Sequence, residues 1–120
     1  PTSYDGLEGS GADFYEPPKT MINDGETIIT SPHKVYGPES NDLALQLRKR
    51  GIQTVILGGF AANLCTDSHM RELIEQGFNV IVIEDAVGAP GEDAYNAAML
   101  NFSMIANGVW TTDEAVAFLK

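Results

Sequence analysis

The residue best suited to covalent chemistry is Cys65, the only cysteine among 120 residues. It follows Val55-Ile56-Leu57-Gly58-Gly59-Phe60-Ala61-Ala62-Asn63-Leu64, an apolar run that passes through glycines and small residues. After it comes Arg71-Glu72-Leu73-Ile74-Glu75-Gln76-Gly77, which reads as a helix with glycine just past its end. A short aliphatic run bounded by glycine predicts a buried parallel strand. Cys65 is therefore expected where a strand hands over to a helix, at the sheet edge where open α/β folds carry their chemistry. Backbone N–H groups and the helix dipole favour a thiolate there, and the same groups suit the oxyanion of a tetrahedral intermediate. On composition and spacing a second reading stands equally: a lone cysteine is also a small buried hydrophobe.

Lys34 follows the carboxyl end of a predicted strand, so a parallel sheet would bring it to the same edge as Cys65. A cation there favours a thiolate and stabilises an oxyanion, although an isolated lysine is ordinarily a solvated surface group. Glu84-Asp85 closes another apolar run; acid/base work is one role, and accepting backbone N–H bonds in the turn is the simpler one. His33 and His69 are far apart and lack helical i, i+4 spacing to each other, so no metal is expected. Ser68 is not in a Gly-x-Ser-x-Gly elbow, and Gly58 to Asn63 fits neither dinucleotide nor Walker spacing. No cofactor is expected.

The elements that must position these residues follow in order. Residues 1–25 are rich in Gly, Pro, Ser and acids, and predict an irregular loop anchored by Phe14 and Tyr15. Asn23-Asp24-Gly25 is a turn signal, and Glu26 to Thr30 predicts a strand stopped by Ser31-Pro32. Ser40 or Asn41 caps a helix ending in Arg48-Lys49-Arg50-Gly51, where cations complement the dipole. Strands then follow at Ile52 to Leu57, Phe78 to Ile83 and Val109 to Thr111. Between and after them lie helices to Gln76, from Glu92 to Asn107, and to Leu119 behind a Thr111/Glu114 capping box. This alternation calls for a parallel sheet covered by helices, in one domain.

Composition narrows the partners. A formal charge of −10 argues against nucleic acid or an anionic membrane surface. No apolar run spans a bilayer and no signal pattern is present, and a single cysteine points to a reducing, cytoplasmic setting.

Gly59-Phe60-Ala61-Ala62-Asn63-Leu64-Cys65-Thr66-Asp67-Ser68 with its flanking strand resembles the isochorismatase-like cysteine hydrolases, relatives of nicotinamidases and N-carbamoylsarcosine amidohydrolases. Pro32-His33-Lys34-Val35-Tyr36-Gly37-Pro38, Asn41-Asp42-Leu43, Arg50-Gly51-Ile52 and Asp85-Ala86 extend the resemblance from Glu26 onward. It implies a three-layer α/β/α fold with a six-stranded parallel sheet and a Cys-Lys-Asp triad. Cys65 would be the nucleophile that forms a thioester with a small amide or ureido substrate, and Lys34 would stabilise the charges. The N–H groups of Ala61 and Cys65 would form the oxyanion hole, beside a cis peptide at Phe60-Ala61. Tyr36, Phe60 and Leu64 are the candidate substrate pocket.

The family's aspartate lies on a first strand that has no counterpart here; Asp5 and Asp13 sit in loop sequence. The chain also opens at Pro1 without an initiator methionine. The expectation is therefore that residues 1–120 are the C-terminal portion of one isochorismatase-like domain, either truncated or completed by a separate N-terminal chain. Homo-oligomerisation is expected from the resemblance. Two alternatives remain: isochorismatase-type hydrolysis of a vinyl ether, and a catalytically silent fragment that serves as an assembly module.

Overall fold

The computed structural model describes residues 6–33 and 35–120. Its helices are α1 (Glu16–Lys19), α2 (Gly37–Ser40), α3 (Leu43–Lys49), α4 (Asp67–Glu75), α5 (Glu92–Ile105) and α6 (Thr112–Leu119). Three strands, β1 (Thr54–Phe60), β2 (Asn79–Gly88) and β3 (Gly108–Trp110), pair in parallel in the order β1-β2-β3.

Alternation along the strands sets the layers, because successive side chains point to opposite faces. Val55, Leu57, Val80, Val82 and Val109 share one face, which packs against Ala44 of α3, Met70 and Leu73 of α4, and Ala98 and Phe102 of α5. Ile56, Ile81, Ile83 and Trp110 share the other face, with Ala115 of α6. The result is a three-layer α/β/α arrangement whose principal core lies on the α3/α4/α5 side. Phe102, Met70, Leu73, Val80 and Val82 are fully buried, and each such side chain contributes about 1.5–3 kcal/mol by leaving water.

Two glycines end the helices that flank β1. Gly77 has φ +97°, the N–H of Phe78 bonds the Leu73 carbonyl at 3.0 Å, and that of Gly77 bonds Ile74 at 3.0 Å. Gly51 repeats the pattern at the end of α3, with Ile52 donating to Leu47 at 3.1 Å. Both are Schellman closures that need the left-handed conformation. The basic run before Gly51 is used structurally. Arg48 donates to the Gln76 carbonyl at 3.0 Å and lies 5.2 Å over the Phe78 ring, while Arg50 bonds Gln46.

At the other edge of the sheet, Thr111 and Glu114 form the capping box that starts α6. Asp85 accepts the N–H of Thr112 at 2.8 Å and its hydroxyl at 2.7 Å. These bonds hold the Asp85 carboxyl below the usual carboxylate range, the hydroxyl contributing most. This is the structural role the sequence favoured for that residue.

The expected strand at Glu26 to Thr30 is absent among the described residues. A strand exists only by pairing, and among the described residues the sheet is β1-β2-β3 alone, with no strand beside this segment. The segment's polar groups turn to side chains instead. Asp24 accepts the N–H groups of Glu26 and Thr27 at 2.8 and 2.6 Å. Ser31 donates its N–H to Asp42 at 2.8 Å and accepts from the Asn41 amide at 2.8 Å. The six strands implied by the resemblance are therefore three among the described residues. In the N-terminal segment Tyr15 is exposed rather than an anchor, while Phe14 lines an apolar cleft with Pro18, Met21 and Ile29. No helix among the described residues is long and apolar enough to cross a membrane.

Candidate active site

Between β1 and α4 the chain makes one π-helical turn, Ala62–Thr66, that runs directly into α4. Cys65 sits in this turn, half-buried, at the carboxyl end of β1. Two bonds close the turn on the Ala61 carbonyl, from the N–H of Leu64 at 3.0 Å and of Thr66 at 3.1 Å. The Phe60–Ala61 peptide is cis. The strand pairing is irregular just before it: β2 advances from Val82 to Val87 while β1 advances only from Leu57 to Gly59. That bulge carries Glu84 and Asp85 away from β1 and toward α5 and α6, where the Tyr95 hydroxyl bonds the Glu84 carbonyl at 2.6 Å.

Cys65 lines a cleft of about 160 Å³ with His33, Leu57, Gly58, Gly59, Phe60, Thr66 and His69. A cavity of about 150 Å³ accommodates a benzene-sized molecule, so the space suits a small substrate. Of the residues read as substrate pocket, Phe60 lines this cleft and is 71 % exposed. Tyr36 and Leu64, 55 % and 49 % exposed, do not line it. Ala61 is buried at the base of the turn. Lys34 lies outside the described residues, as does Asp5.

Two aspartates hold hydrogen-bonded partners among the described residues. Asp67, buried at the start of α4, holds Arg71 through Oδ1 and the Asn101 amide through Oδ2 at 3.1 Å. The Arg71 guanidinium is held above its ordinary value by that carboxylate. Asp13 accepts from the Gly9 N–H and the Lys19 ammonium, both at 2.7 Å. Asn63 Oδ1 is buried with no hydrogen-bond partner among the described residues, so it lacks a donor.

The two histidines meet, which their spacing did not suggest. His33 and His69 stand edge to face with ring centroids 4.4 Å apart. His69 is 8 % exposed and its Nδ1 lies 2.7 Å from the Cys65 carbonyl. Burial holds its pKa below the ordinary value; the Cys65 carbonyl offsets part of this, and His33 adds to it. The available signal was the i, i+4 step from Cys65 to His69, which places both on one helical face. Among the described residues, no cluster of three or more His, Cys, Asp or Glu side chains could hold a metal ion.

Residues 16–115 match the isochorismatase domain family model. The chain is 35 % identical over 96 residues to the isochorismatase family protein YwoC of Bacillus subtilis, covering 76 % of this chain and 50 % of that protein. It is 30 % identical over 96 residues to the ureidoacrylate amidohydrolase RutB of Enterobacter sp., covering 79 % of this chain and 41 % of the relative. It thus spans half or less of the length of these relatives. Among solved structures, the nicotinamidase SaPncA of Staphylococcus aureus superposes with a TM-score of 0.79 at 15 % identity, over 92 % of this chain and 72 % of that one.

Proposed function

The chain belongs to the isochorismatase family, and from that premise we propose that it carries the cysteine-bearing part of a hydrolase site that cleaves a C–N bond in a small amide or ureido compound. The observation that carries this reading is the placement of Cys65 in the turn between β1 and α4, on a cleft of substrate size. The kinship to a ureidoacrylate amidohydrolase supports the substrate class.

In the proposed reaction the Cys65 sulfur attacks the substrate carbonyl and the C–N electrons pass to the leaving nitrogen, which takes a proton as it departs. The acyl group is left on sulfur as a thioester. Water then adds to the thioester and releases the carboxylic acid or carbamate, returning the thiol. The N–H groups of Ala61 and Cys65 receive the carbonyl oxygen as it gains charge. Lys34 stabilises the charges that form, and an aspartate carries the proton between sulfur and leaving group. Phe60 walls the substrate, with Tyr36 and Leu64 on the approach.

The aspartate is proposed to come from a complementing segment or separate N-terminal chain that pairs with the outer edge of β1. Val55, Ile56 and Leu57 are half-buried there, and no strand stands beside them among the described residues. An apolar strand left at an edge invites pairing, and the orphan Asn63 oxygen would also gain a donor. A second copy is proposed to cover Leu100 and Met104, one helical turn apart on α5 and 60 % and 68 % exposed. The setting is proposed to be a reducing cytosol, in which the thiol survives.

Ammonia release from a panel of small amides and ureido compounds, nicotinamide and ureidoacrylate among them, tests the reading. Cys65→Ala is expected to abolish release. Turnover that survives the substitution, or hydrolysis of a vinyl ether without ammonia, overturns it.

A further inference from the structure

We propose that His69 is a positioning residue for the nucleophile: its Nδ1–H ties the Cys65 carbonyl and, through the rest of the ring, clamps the cysteine turn to His33 and to Gly37. The inference rests on the reading of Cys65 as the nucleophile.

Three contacts define the clamp. A carbonyl oxygen only accepts, so at 2.7 Å from it the Nδ1 of His69 must carry the hydrogen. Burial keeps the ring neutral, so Nε2 is the bare nitrogen. That edge abuts α2 at Gly37, where an added Cβ would fall 1.6 Å from Nε2 and 2.3 Å from Cε1. No residue but glycine leaves room for the ring there. His33 closes a third side edge to face at 4.4 Å. His33 and Gly37 bracket Lys34 in the sequence, so one imidazole touches both flanks of the lysine segment and the backbone of the cysteine itself.

Packing alone does not call for a histidine. A side chain 8 % exposed that served only to fill space would be apolar, because a buried polar group costs free energy unless it is bonded. Here the polar edge is aimed at the one residue whose sulfur the proposed chemistry needs. Nucleophilic attack depends on angle and distance, and a displacement of about 1 Å costs on the order of a hundredfold in rate.

The test measures the alkylation rate of Cys65 by iodoacetamide at pH 7, followed by peptide mass mapping, in the intact protein. His69→Leu removes the donor and keeps bulk; His69→Asn keeps a donor near the Nδ1 position. The expected result is a rate at least tenfold lower in His69→Leu and restored to within about threefold in His69→Asn, the scale of a positional shift of under 1 Å. Nitrogen-15 NMR of the unmodified protein is expected to report a neutral Nδ1–H tautomer, a readout independent of any variant's folding. A fast wild-type rate that His69→Leu leaves unchanged, or the Nε2–H tautomer, overturns the positioning role alone. A wild-type rate no greater than that of glutathione overturns it together with the cysteine reading.

Discussion

Replacing Gly37 by Ala puts one methyl group where the His69 imidazole sits. The new carbon would stand 1.6 Å from Nε2, against a comfortable separation of about 3.5 Å. Ring and α2 must therefore part by roughly 1.9 Å. The ring's other edge already lies 2.7 Å from the Cys65 carbonyl, so the ring cannot retreat straight back; it must swing aside, past the about 3.2 Å at which such a bond is lost. A buried polar group without its partner costs about 1–3 kcal/mol, and the overpacking adds about 1–3 kcal/mol. Urea unfolding of Gly37→Ala should thus show a loss of about 2–6 kcal/mol. His69→Ala removes the obstacle, so on that background the same methyl should cost less than about 1 kcal/mol. A double-mutant cycle with a coupling energy under about 0.5 kcal/mol would mean that the two residues do not press on each other, and would refute the reasoning.

Three other outcomes follow from the geometry. Phe102→Ala empties a fully buried site between α5 and the sheet and should cost about 3–5 kcal/mol in urea unfolding; a loss below about 1 kcal/mol would contradict the packing described. Burial holds the His69 imidazole below 6.5, and His33 adds to this, so its contribution is complete above that pH and declines as pH falls through the window beneath it. The wild-type slope of stability between pH 7 and 5 should therefore exceed that of His69→Asn, and equal slopes would count against it. Asp85, held below 3.8 by Thr112, stabilises the start of α6 above that pH and ceases to do so as the carboxyl protonates. Asp85→Ala should lower Tm at pH 7, and the loss should shrink as pH falls further below 3.8; a loss that stays constant with pH would count against the cap.

What could be read in the sequence was set by local chemistry. The two Schellman glycines, the Thr111/Glu114 box and the apolar runs of β1 and β2 all act over a few residues, and the structure contains each. The cis peptide at Phe60–Ala61 was anticipated from the family motif rather than from physics. What could not be read depends on distant partners. Glu26 to Thr30 has strand-forming residues but no neighbour to pair with among the described residues, and Asp24, Asn41 and Asp42 take polar groups there and at Ser31. The extension of β2 past Ile83 follows from a bulge against β1 that no periodicity signals. The meeting of His33 with His69 is tertiary, since the two are joined through α2, α3, β1 and the cysteine turn. In the candidate site the turn that bears Cys65 was legible, whereas the imidazole that braces it was not.

The decisive measurement is acid-quench mass spectrometry of the Cys65 peptide during hydrolysis of an amide that releases ammonia. An acyl adduct on that peptide, removed by hydroxylamine and absent in Cys65→Ala, is the predicted result. Steady ammonia release with Cys65 unmodified at every time point would contradict covalent catalysis by this sulfur.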